Sequence, residues 1–290
     1  MKVVRKWRAN SLDNLITVLI PFYNPGKYII DAISSIYAQN YFSWKIVLVD
    51  DGSTDESSEL AKKYLVDPRI TYVRHDENKG QSVSLNTGLE HIETPFFVQL
   101  DPDDWLYPDT LQSLADEALK QPEDVAVISG NINISFEDEY GQVYLSRIKK
   151  GQHYDNPYDF LLANTSIWPR CYRTSAVREV GGWPLDDPYG GRYVEDIRIL
   201  LLLIISYRFY WIDQLMLYHR RHEKNNTNEK NETASSLRLL IEETLVNWGD
   251  VYKPVFKYED SYMILDGLED NTDSQEDNTA EIIREIPVSE

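Results

Sequence analysis

Three carboxylates stand within four residues directly after an apolar run, in the segment Leu100-Asp101-Pro102-Asp103-Asp104-Trp105. Carboxylates this close repel one another, a cost that a fold tolerates if a cation sits among them. Hard divalent cations prefer oxygen ligands, and they typically take one or two carboxylates together with substrate phosphates. The segment therefore predicts a site for Mn²⁺ or Mg²⁺, although an acidic turn that begins the next helix would use the same residues.

A second acidic pair, Asp50-Asp51, follows another apolar run and precedes Gly52 and Ser53. A carboxylate at the end of a strand can accept a hydrogen bond from a ligand N–H or a ribose hydroxyl. Aspartate, glycine and serine are also ordinary residues of a turn that leads into a helix. The pair fits either interpretation.

A third pair, Glu195-Asp196, enters an almost continuous apolar stretch. Acidic residues in a first helical turn are often only favourable partners of the helix dipole. A carboxylate held at the mouth of an apolar region also keeps a pKa that suits a general base. The pair fits a partner of the helix dipole and a general base equally.

A basic cluster, Tyr218-His219-Arg220-Arg221-His222, lies further along the chain, followed by Asn225-Asn226-Thr227. Imidazoles and guanidinium groups side by side can bind a metal ion or hold a phosphate. A solvated basic turn would have the same composition.

Several classes of protein are excluded by what the chain lacks. None of its 13 glycines forms a G-x-G-x-x-G or a G-x-x-x-x-G-K-[ST] motif, which argues against a dinucleotide oxidoreductase and a P-loop NTPase. Its single cysteine, Cys171, excludes a disulfide framework and a cysteine-based zinc cluster and suits a reducing compartment. No serine stands in a G-x-S-x-G elbow, so no covalent nucleophile is evident.

Composition places the chain among globular proteins. Its 290 residues are 42% hydrophobic and 12% aromatic, which is enough for a sizeable core. The formal net charge of −19 argues against nucleic acid as a partner. The longest uninterrupted apolar run, residues 199–205, is far shorter than the roughly 20 residues of a membrane helix, and no secretory signal precedes it. We expect a soluble cytoplasmic protein without a transmembrane segment, either free or held peripherally at the inner face of the membrane.

The elements that must position these residues alternate along the first half of the chain. Apolar runs predict strands at 15–20, 45–49, 70–73 and 96–100, and helical spacing predicts helices at 26–39, 53–65 and 81–91. This alternation predicts an α/β fold with a mostly parallel central sheet flanked by helices. Ligands of such sheets bind at the carboxyl ends of strands, where both acidic turns fall.

The second half of the chain is less regular. A helix is expected at 108–120, and residues 125–136 predict one bent strand or two consecutive strands, with a hairpin turn near 139–141. Strands are expected at 167–172 and 208–218, and helices at 175–180, 195–206 and 235–248. Residues 259–290 hold eleven acidic residues and one arginine, and the stretch at 266–279, which lacks aromatic residues, is typical of a solvated tail.

Four segments, taken in order, resemble family 2 glycosyltransferases. They are Ile16-Thr-Val-Leu-Ile-Pro-Phe-Tyr-Asn24, then Ile46-Val-Leu-Val-Asp-Asp-Gly-Ser-Thr-Asp55, then Asn78-Lys-Gly80 with Asn86-Thr-Gly88, and Leu100-Asp-Pro-Asp-Asp104. The resemblance continues through Gly181-Gly182-Trp183, Glu195-Asp196 and residues 218–227, so it covers roughly residues 14–227. It implies a single domain of the nucleotide-diphospho-sugar transferase type and an inverting sugar transfer from a nucleotide-sugar donor.

The same resemblance implies the domain limits. An N-terminal extension at 1–13 precedes a glycosyltransferase domain at 14–230, with a nucleotide-binding half at 14–105 and an acceptor half at 106–230. A small mixed C-terminal part follows, consisting of a helical segment at 231–265 and a flexible acidic tail at 266–290.

Roles for individual residues also follow from the resemblance. Asp196 matches the general base, with Glu195 as the weaker candidate, and Asp103 or Asp104 matches the direct metal ligand, with His222 completing the site. Pro102 departs from the small polar residue that is commoner inside this motif, and the match of residues 218–222 is only approximate. The residues that the resemblance places at the nucleotide are Pro21, Tyr23, Asn24, Asn78, Gly80 and Asp101, together with Asp51 at the nucleobase.

The expected partners are a nucleotide-diphosphate sugar, a UDP-sugar first, and a saccharide, lipid-linked or polypeptide acceptor in polysaccharide biosynthesis. Direct displacement at an anomeric carbon needs a base for the acceptor and neutralisation of the leaving diphosphate, and a carboxylate and a bound cation supply these. A nucleotidyltransferase is an alternative, although the loop after the first strand lacks the usual glycine- and basic-rich sequence. A non-catalytic module of the same fold is another, and a homo-oligomer stays open.

Overall fold

Nine strands of the described chain form one curved sheet, and two more form a separate hairpin. The computed structural model describes residues 15–138, 140–222, 230–259 and 262–271. The strands are β1 (Ile16–Phe22), β2 (Trp44–Asp50), β3 (Ile70–Arg74), β4 (Phe96–Gln99), β5 (Trp105–Leu106), β6 (Val125–Glu137), β7 (Val143–Lys149), β8 (Arg170–Arg173), β9 (Arg208–Arg221), β10 (Tyr252–Glu259) and β11 (Tyr262–Asp270).

Helices cover both faces of the sheet. They are α1 (Tyr28–Tyr37), α2 (Ser57–Lys62), α3 (Gln81–Glu90), α4 (Thr110–Ala118), α5 (Pro157–Leu162), α6 (Thr174–Glu179), α7 (Glu195–Leu203) and α8 (Lys230–Asn247). Alternation along β1 explains the two layers, because Val18 and Ile20 pack in the cluster that contains α1 and α4 residues, whereas Leu19 packs with residues of α3 and α7. A strand covered on both faces needs a continuous apolar sequence, as residues 15–20 have.

The half of the sheet that contains β1 to β4 is parallel. β1 pairs with β2 and β4, and β2 pairs with β3, so their carboxyl ends meet at one edge. The acidic turns after β2 and β4 both leave this edge, which confirms the predicted α/β arrangement.

The other half of the sheet is mixed in direction. β8 runs antiparallel to β4, with Arg170 opposite Gln99, so the first residue of β8 lies at the carboxyl edge of β4. β9 pairs with β6 in parallel and with β5 in antiparallel, which sets Tyr218 opposite Trp105, and these two rings stack at 3.6 Å. The residues that follow Tyr218 are thereby brought beside the acidic turn at 101–104.

The C-terminal part differs from the sequence-based expectation. The helix ends at Asn247, and residues that were expected to continue a helical segment to 265 form the antiparallel hairpin β10–β11 instead. Residues 266–270, expected in the flexible tail, belong to β11. The apolar residues Met263 and Leu265 are buried by this hairpin, and that burial outweighs the acidic composition of the strand.

The hairpin is fastened to the body by Asn164. Its amide Nδ2 donates to the carbonyl of Leu265 at 2.7 Å, and its Oδ1 accepts from the backbone N–H of Leu265 at 2.7 Å. The expected N-terminal extension at 1–13, the Asn225-Asn226-Thr227 segment and most of the acidic tail lie outside the described residues. Within the described ranges, no helix is both long enough and apolar enough to cross a membrane.

Candidate active site

Each carboxylate of the acidic turn 101–104 has a basic partner from another strand. Asp101 is 3.4 Å from the Nη2 of Arg170, at the start of β8. Asp104 is 2.9 Å from the Nδ1 of His219 on β9, and Asp103 is 3.1 Å from the Nε2 of His222, just beyond β9. The repulsion within the turn is therefore offset by three side chains of the protein itself.

Asp104 and Asp103 differ in their surroundings. Only 1% of the Asp104 side chain is exposed, and its two oxygens accept from the Arg220 N–H at 2.9 Å and from His219. The Asp103 side chain is 21% exposed and lies next to His222, whose ring packs at a tilt of 35° against Tyr28 with ring centroids 4.8 Å apart. Asp104 anchors the end of β9, whereas Asp103 faces the open edge of the sheet.

The acidic turn and the end of β9 offer a divalent cation a small set of protein ligands. In the part of the chain that the structure describes, no three His, Cys, Asp or Glu side chains converge on a point suited to a metal ion. Asp103 and His222 supply one oxygen and one nitrogen ligand, both of types that Mn²⁺ accepts. This pair fits a cation that takes its remaining ligands from phosphate oxygens and water, as such cations usually do.

Burial and neighbouring charges shift the pKa values of the side chains in and around the acidic turn. Burial raises the pKa of Asp101 to about 6, against the opposing charge of Arg170 and with the added negative charge of Asp104. Burial alone would lower the pKa of His219, but the Asp104 carboxylate outweighs it, so the pKa of His219 is raised. Burial raises the pKa of Asp104 as well, against the opposing influence of His219, so the two side chains depend on each other for their charges.

Arg170 connects the acidic turn to the candidate base. Its side chain is 3% exposed, and its Nη1 donates to the Asp196 Oδ2 at 3.0 Å while Nη2 lies near Asp101. Sequence reasoning did not single out this residue. A charged side chain inside the apolar run at 167–172 was the available signal, because such a residue is tolerated only with a partner.

Asp196 stands at the beginning of α7. Its Oδ1 accepts from the N–H of Ile197 at 2.9 Å, and its side chain is 21% exposed. The preceding Val194 has φ +51°, a left-handed conformation that is strained for a β-branched residue. Such strain is common at functional sites, and here it turns the chain so that the first helical residues face the sheet edge.

Glu195 lies in a less polar setting than Asp196. Burial, together with the negative charge of Asp196, raises the pKa of Glu195 to about 8, while Arg170 opposes the shift. At neutral pH Glu195 is mostly protonated, so of the two acids Asp196 is the better placed to accept a proton.

The second acidic turn is held by hydrogen bonds within the loops. Asp51 is 4% exposed and accepts from the N–H groups of Lys79 and Gly80, at 2.9 and 2.8 Å, and from the Nδ1 of His75 at 2.7 Å. His75 was not predicted, and its Nε2 lies 3.0 Å from the hydroxyl of Thr87. Asp51 thus ties the end of β2 to the loop that contains Asn78 and Gly80.

The other residues expected at the nucleotide lie at the ends of β1 and β2. The Oδ1 of Asn24 accepts from the N–H groups of Thr54 and Asp55, at 2.7 and 3.2 Å, which joins the loops after these two strands. Tyr23 is 48% exposed beside Asn24, and Pro21 is buried in β1 opposite Val49. These residues surround the carboxyl edge and leave the Tyr23 ring accessible.

Asp50 is structural. It is fully buried and accepts from the N–H of Ser53 at 2.7 Å and from the hydroxyl of Tyr72 at 2.6 Å. Burial opposes ionisation, but hydrogen bonds from Ser58, Tyr72 and Ser53 outweigh it and lower the pKa of Asp50.

The sequence of the chain is similar to that of known glycosyltransferases. The family model described as "Glycosyl transferase family 2" matches residues 17–181. Glycosyltransferase GlyA of Streptococcus pneumoniae is 34% identical over 191 residues, which cover 64% of this chain and 26% of that protein. Glycosyltransferase GlyG of the same species is 31% identical over 134 residues, which cover 46% of this chain and 44% of that protein. The chain therefore matches less than half the length of either relative.

Solved structures share the fold at low sequence identity. S. aureus TarS 1-349 in complex with UDP-GlcNAc has a TM-score of 0.62 and 20% identity, covering 80% of this chain and 66% of that one. Mannosyltransferase PcManGT from Pyrobaculum calidifontis, in complex with GDP-Man and Mn²⁺, has a TM-score of 0.57 and 19% identity, covering 82% of this chain and 65% of that one. The likeness confirms the predicted fold class.

Proposed function

The chain belongs to glycosyl transferase family 2, and on that basis we propose that it transfers a sugar from a nucleotide-diphosphate sugar to an acceptor hydroxyl with inversion at the anomeric carbon. The observation that carries this proposal is that one guanidinium, that of Arg170, contacts both Asp101 and Asp196. The acidic turn on the donor side and the carboxylate base therefore lie on either side of one buried side chain. That arrangement suits a single displacement, in which base, acceptor and donor must be in line.

We propose a UDP-sugar as the donor. The neighbours bound to UDP and UDP-GlcNAc support this choice, and the GDP-Man complex of another neighbour keeps a guanosine donor as the second candidate. Asp51 supports the nucleobase pocket, because its Oδ2 accepts one bond from Gly80 and keeps a second lone pair for a ligand N–H. Pro21, Tyr23, Asn24 and Asn78 then complete the walls of this pocket.

We propose that Asp103 and His222 hold Mn²⁺ or Mg²⁺. What supports Asp103 over Asp104 is exposure, since both oxygens of Asp104 are already engaged and its side chain is buried. When bound, the cation would supply charge neutralisation for the leaving diphosphate.

The proton of the acceptor hydroxyl passes to Asp196 in this proposal. Arg170 fixes the position of its Oδ2, and the Ile197 N–H fixes its Oδ1, so the carboxylate is oriented before the substrate arrives. A covalent sugar–enzyme intermediate is not needed. Burial raises the pKa of the Cys171 thiol to about 12, which leaves that residue unreactive.

Three classes of acceptor carry a hydroxyl that suits this reaction. They are saccharide, lipid-linked and polypeptide acceptors. We propose a role in cytoplasmic polysaccharide biosynthesis, at or near the inner face of the membrane. A relative from Staphylococcus epidermidis, named teichoic acid poly(glycerol phosphate) polymerase, is 37% identical over 95 residues and favours a cell-surface polymer.

The test is nucleotide release and sugar transfer with UDP-GlcNAc and other UDP-sugars in the presence of Mn²⁺. We expect turnover by the wild type, loss of at least 100-fold in Asp196→Asn, and loss of metal-stimulated turnover in Asp103→Ala. Formation of a nucleotide sugar from sugar 1-phosphate and UTP would instead favour a nucleotidyltransferase. Binding of UDP without turnover by the wild type would favour a non-catalytic module.

A further inference from the structure

A cavity of about 320 Å³ lies between the middle of β6, the end of β7 and the segment that leads into β8. Its volume is at the lower end of the range for small-ligand sites. Its wall includes the side chains of Lys149, Thr165, Ser166 and Trp168. None of the residues assigned above to the nucleotide or the metal ion lines this cavity.

The cavity reaches the candidate base through two contacts. The Ser166 hydroxyl accepts from the Nη1 of Arg170 at 3.4 Å, and the same nitrogen donates to Asp196 at 3.0 Å. The Trp168 ring lies in the cavity wall, with the guanidinium carbon of Arg170 5.7 Å from its centroid. Arg170 therefore links the cavity wall to the carboxylate that is proposed to take the acceptor proton.

Lys149 gives the cavity an uncompensated positive charge. Its ammonium donates to the Thr165 hydroxyl and lies 5.0 Å from the centroid of the Trp168 ring. Across the described ranges, no carboxylate lies within ion-pair distance of Lys149, whereas its neighbour Lys150 pairs with Asp213 at 3.1 Å.

The electrostatic surroundings of Lys149 strengthen this asymmetry. Burial and the positive charges of Arg147 and Arg221 lower the pKa of Lys149, and Asp196 is the group that opposes them. A cation that is disfavoured by its surroundings gains the most from an anionic ligand. In a chain of net charge −19, a positive cavity wall is a local exception that the fold maintains.

We propose, on the basis of the proposed glycosyltransferase function, that this cavity binds the acceptor and that Lys149 selects an acceptor carrying a phosphate group close to the hydroxyl that is glycosylated. The Ser166 hydroxyl accepts from Arg170 and keeps its own hydrogen for a phosphate oxygen, whereas the Thr165 hydroxyl donates to the Ser166 carbonyl at 2.8 Å and orients Lys149. The Trp168 ring offers an apolar face to the C–H groups of a sugar or polyol.

The transfer step is balanced within this arrangement. The acceptor O–H bond breaks and its proton goes to Asp196, the acceptor oxygen bonds to the anomeric carbon, and the bond from that carbon to the diphosphate breaks. The nucleoside diphosphate leaves with the bonding electron pair. The acceptor's own phosphate takes no part in bond making and serves only for recognition.

The experiment compares matched acceptors that differ in one phosphate group. The pairs are glycerol with glycerol 3-phosphate and ribitol with ribitol 5-phosphate, and glucose with glucuronate tests whether a carboxylate serves as well. UDP release from the UDP-sugar with the highest wild-type turnover is measured with full-length protein and Mn²⁺. We expect kcat/KM for the phosphorylated member of a pair to exceed that of its neutral partner at least tenfold.

Substitution at Lys149 then tests the residue itself. In Lys149→Gln we expect that preference to fall at least tenfold, mainly through KM. The matched control is Lys45→Gln, which removes the same charge from a lysine that pairs with Glu93 at the opposite edge of the sheet, and it should keep the wild-type preference.

The outcomes separate the two proposals. UDP release that is the same with both members of every pair, or a preference that survives in Lys149→Gln, overturns the phosphate-bearing acceptor and leaves the glycosyltransferase function standing. A preference for glucuronate over glucose equal to that in the phosphate pairs overturns the choice of phosphate. Absence of UDP-sugar consumption by the wild type under all conditions overturns both proposals.

Discussion

Arg170 donates a hydrogen bond to Asp196 across 3.0 Å, from the first residue of a strand that runs against its neighbour β4. The reversal of strand direction is what places this guanidinium at the edge where the parallel strands end. The same group reaches Asp101, so one buried cation holds two carboxylates of different proposed roles.

Removal of the Arg170 charge should damage both stability and turnover. Arg170→Gln leaves two carboxylates without their cation, and breaking a buried pair in this way costs about 3 to 5 kcal/mol in the free energy of unfolding. Urea denaturation measures that cost, and we expect kcat for UDP-sugar turnover to fall at least tenfold. The control Arg208→Gln, at an exposed pair with Asp124, should leave the free energy of unfolding nearly unchanged. Equal effects of the two substitutions would contradict the bridging role.

Asp103 and Asp104 should respond in opposite ways to removal of their charge. Asp103→Asn should weaken Mn²⁺ binding in the presence of UDP at least tenfold, measured by titration calorimetry, with little change in melting temperature. Asp104→Asn should lower the free energy of unfolding by about 2 to 4 kcal/mol, because His219 loses its buried counter-charge. A greater loss of Mn²⁺ affinity in Asp104→Asn, without loss of stability, would reverse the assignment.

The glycine after the second acidic turn should tolerate no side chain. Gly52 has φ +76°, and a Cβ there would lie 2.7 Å from the backbone carbonyl carbon of Glu77. We expect Gly52→Ala to cost about 2 to 4 kcal/mol, from backbone strain and from displacement of the loop that Asp51 holds. Gly141→Ala is the matched control, since Gly141 has φ +78° with open space around it. A similar cost for both variants, measured by chemical denaturation, would show that only the backbone angle matters.

The carboxyl group of Glu195 should make stability depend on pH. Its pKa is raised from 4.5 to about 8 in the folded protein, so the folded protein keeps a proton that the unfolded chain loses above pH 4.5. The free energy of unfolding therefore falls as the pH rises from about 4.5 to about 8. We expect Glu195→Gln to be more stable than the wild type at pH 8, by at least about 1 kcal/mol, and to lose this advantage by pH 4.5.

A control of opposite sign is available at the surface. The hydrogen bond from Lys45 lowers the pKa of Glu93, so Glu93→Gln should be slightly less stable than the wild type at pH 8 and equal to it in acid. Denaturation series at four pH values distinguish the two patterns. A pH-independent difference for Glu195→Gln would show that its carboxyl group is not held protonated.

The nucleotide-binding half of the fold was predictable because short stretches of sequence identify its strands. Residues 15–20 and 45–49 are mostly apolar, as strands covered on both faces usually are, and Asp50 and Asp51, which follow the second run, fall at the edge where ligands bind. The side-chain pairs at the carboxyl edge of the sheet were not predictable. That Asp104 is buried against His219, while Asp103 stays accessible, depends on where β9 meets β5, a contact between residues more than 100 positions apart.

Arg170 and the C-terminal hairpin were likewise not predictable from local sequence, for two different reasons. A single charge inside an apolar run indicates a partner but does not say which carboxylate serves, because that depends on strand direction. Residues up to 265 were expected in a helical segment and residues 266–270 in an acidic tail, yet the burial of Met263 and Leu265 and the two hydrogen bonds of Asn164 with Leu265 hold them in a hairpin. These contacts are long-range, so no local pattern could reveal them.

The pairing of the carboxylates in the turn 101–104 with basic side chains affects the association rate of an anionic donor. A nucleotide sugar that approaches this edge meets carboxylates paired with basic side chains, and not a positively charged cleft. The net charge of −19 repels the anionic donor at long range. Dissolved ions screen such repulsion beyond about 10 Å at 0.1 M ionic strength. The association rate constant for the donor should therefore increase as salt is added from low ionic strength, the reverse of an enzyme that attracts phosphates by electrostatic steering.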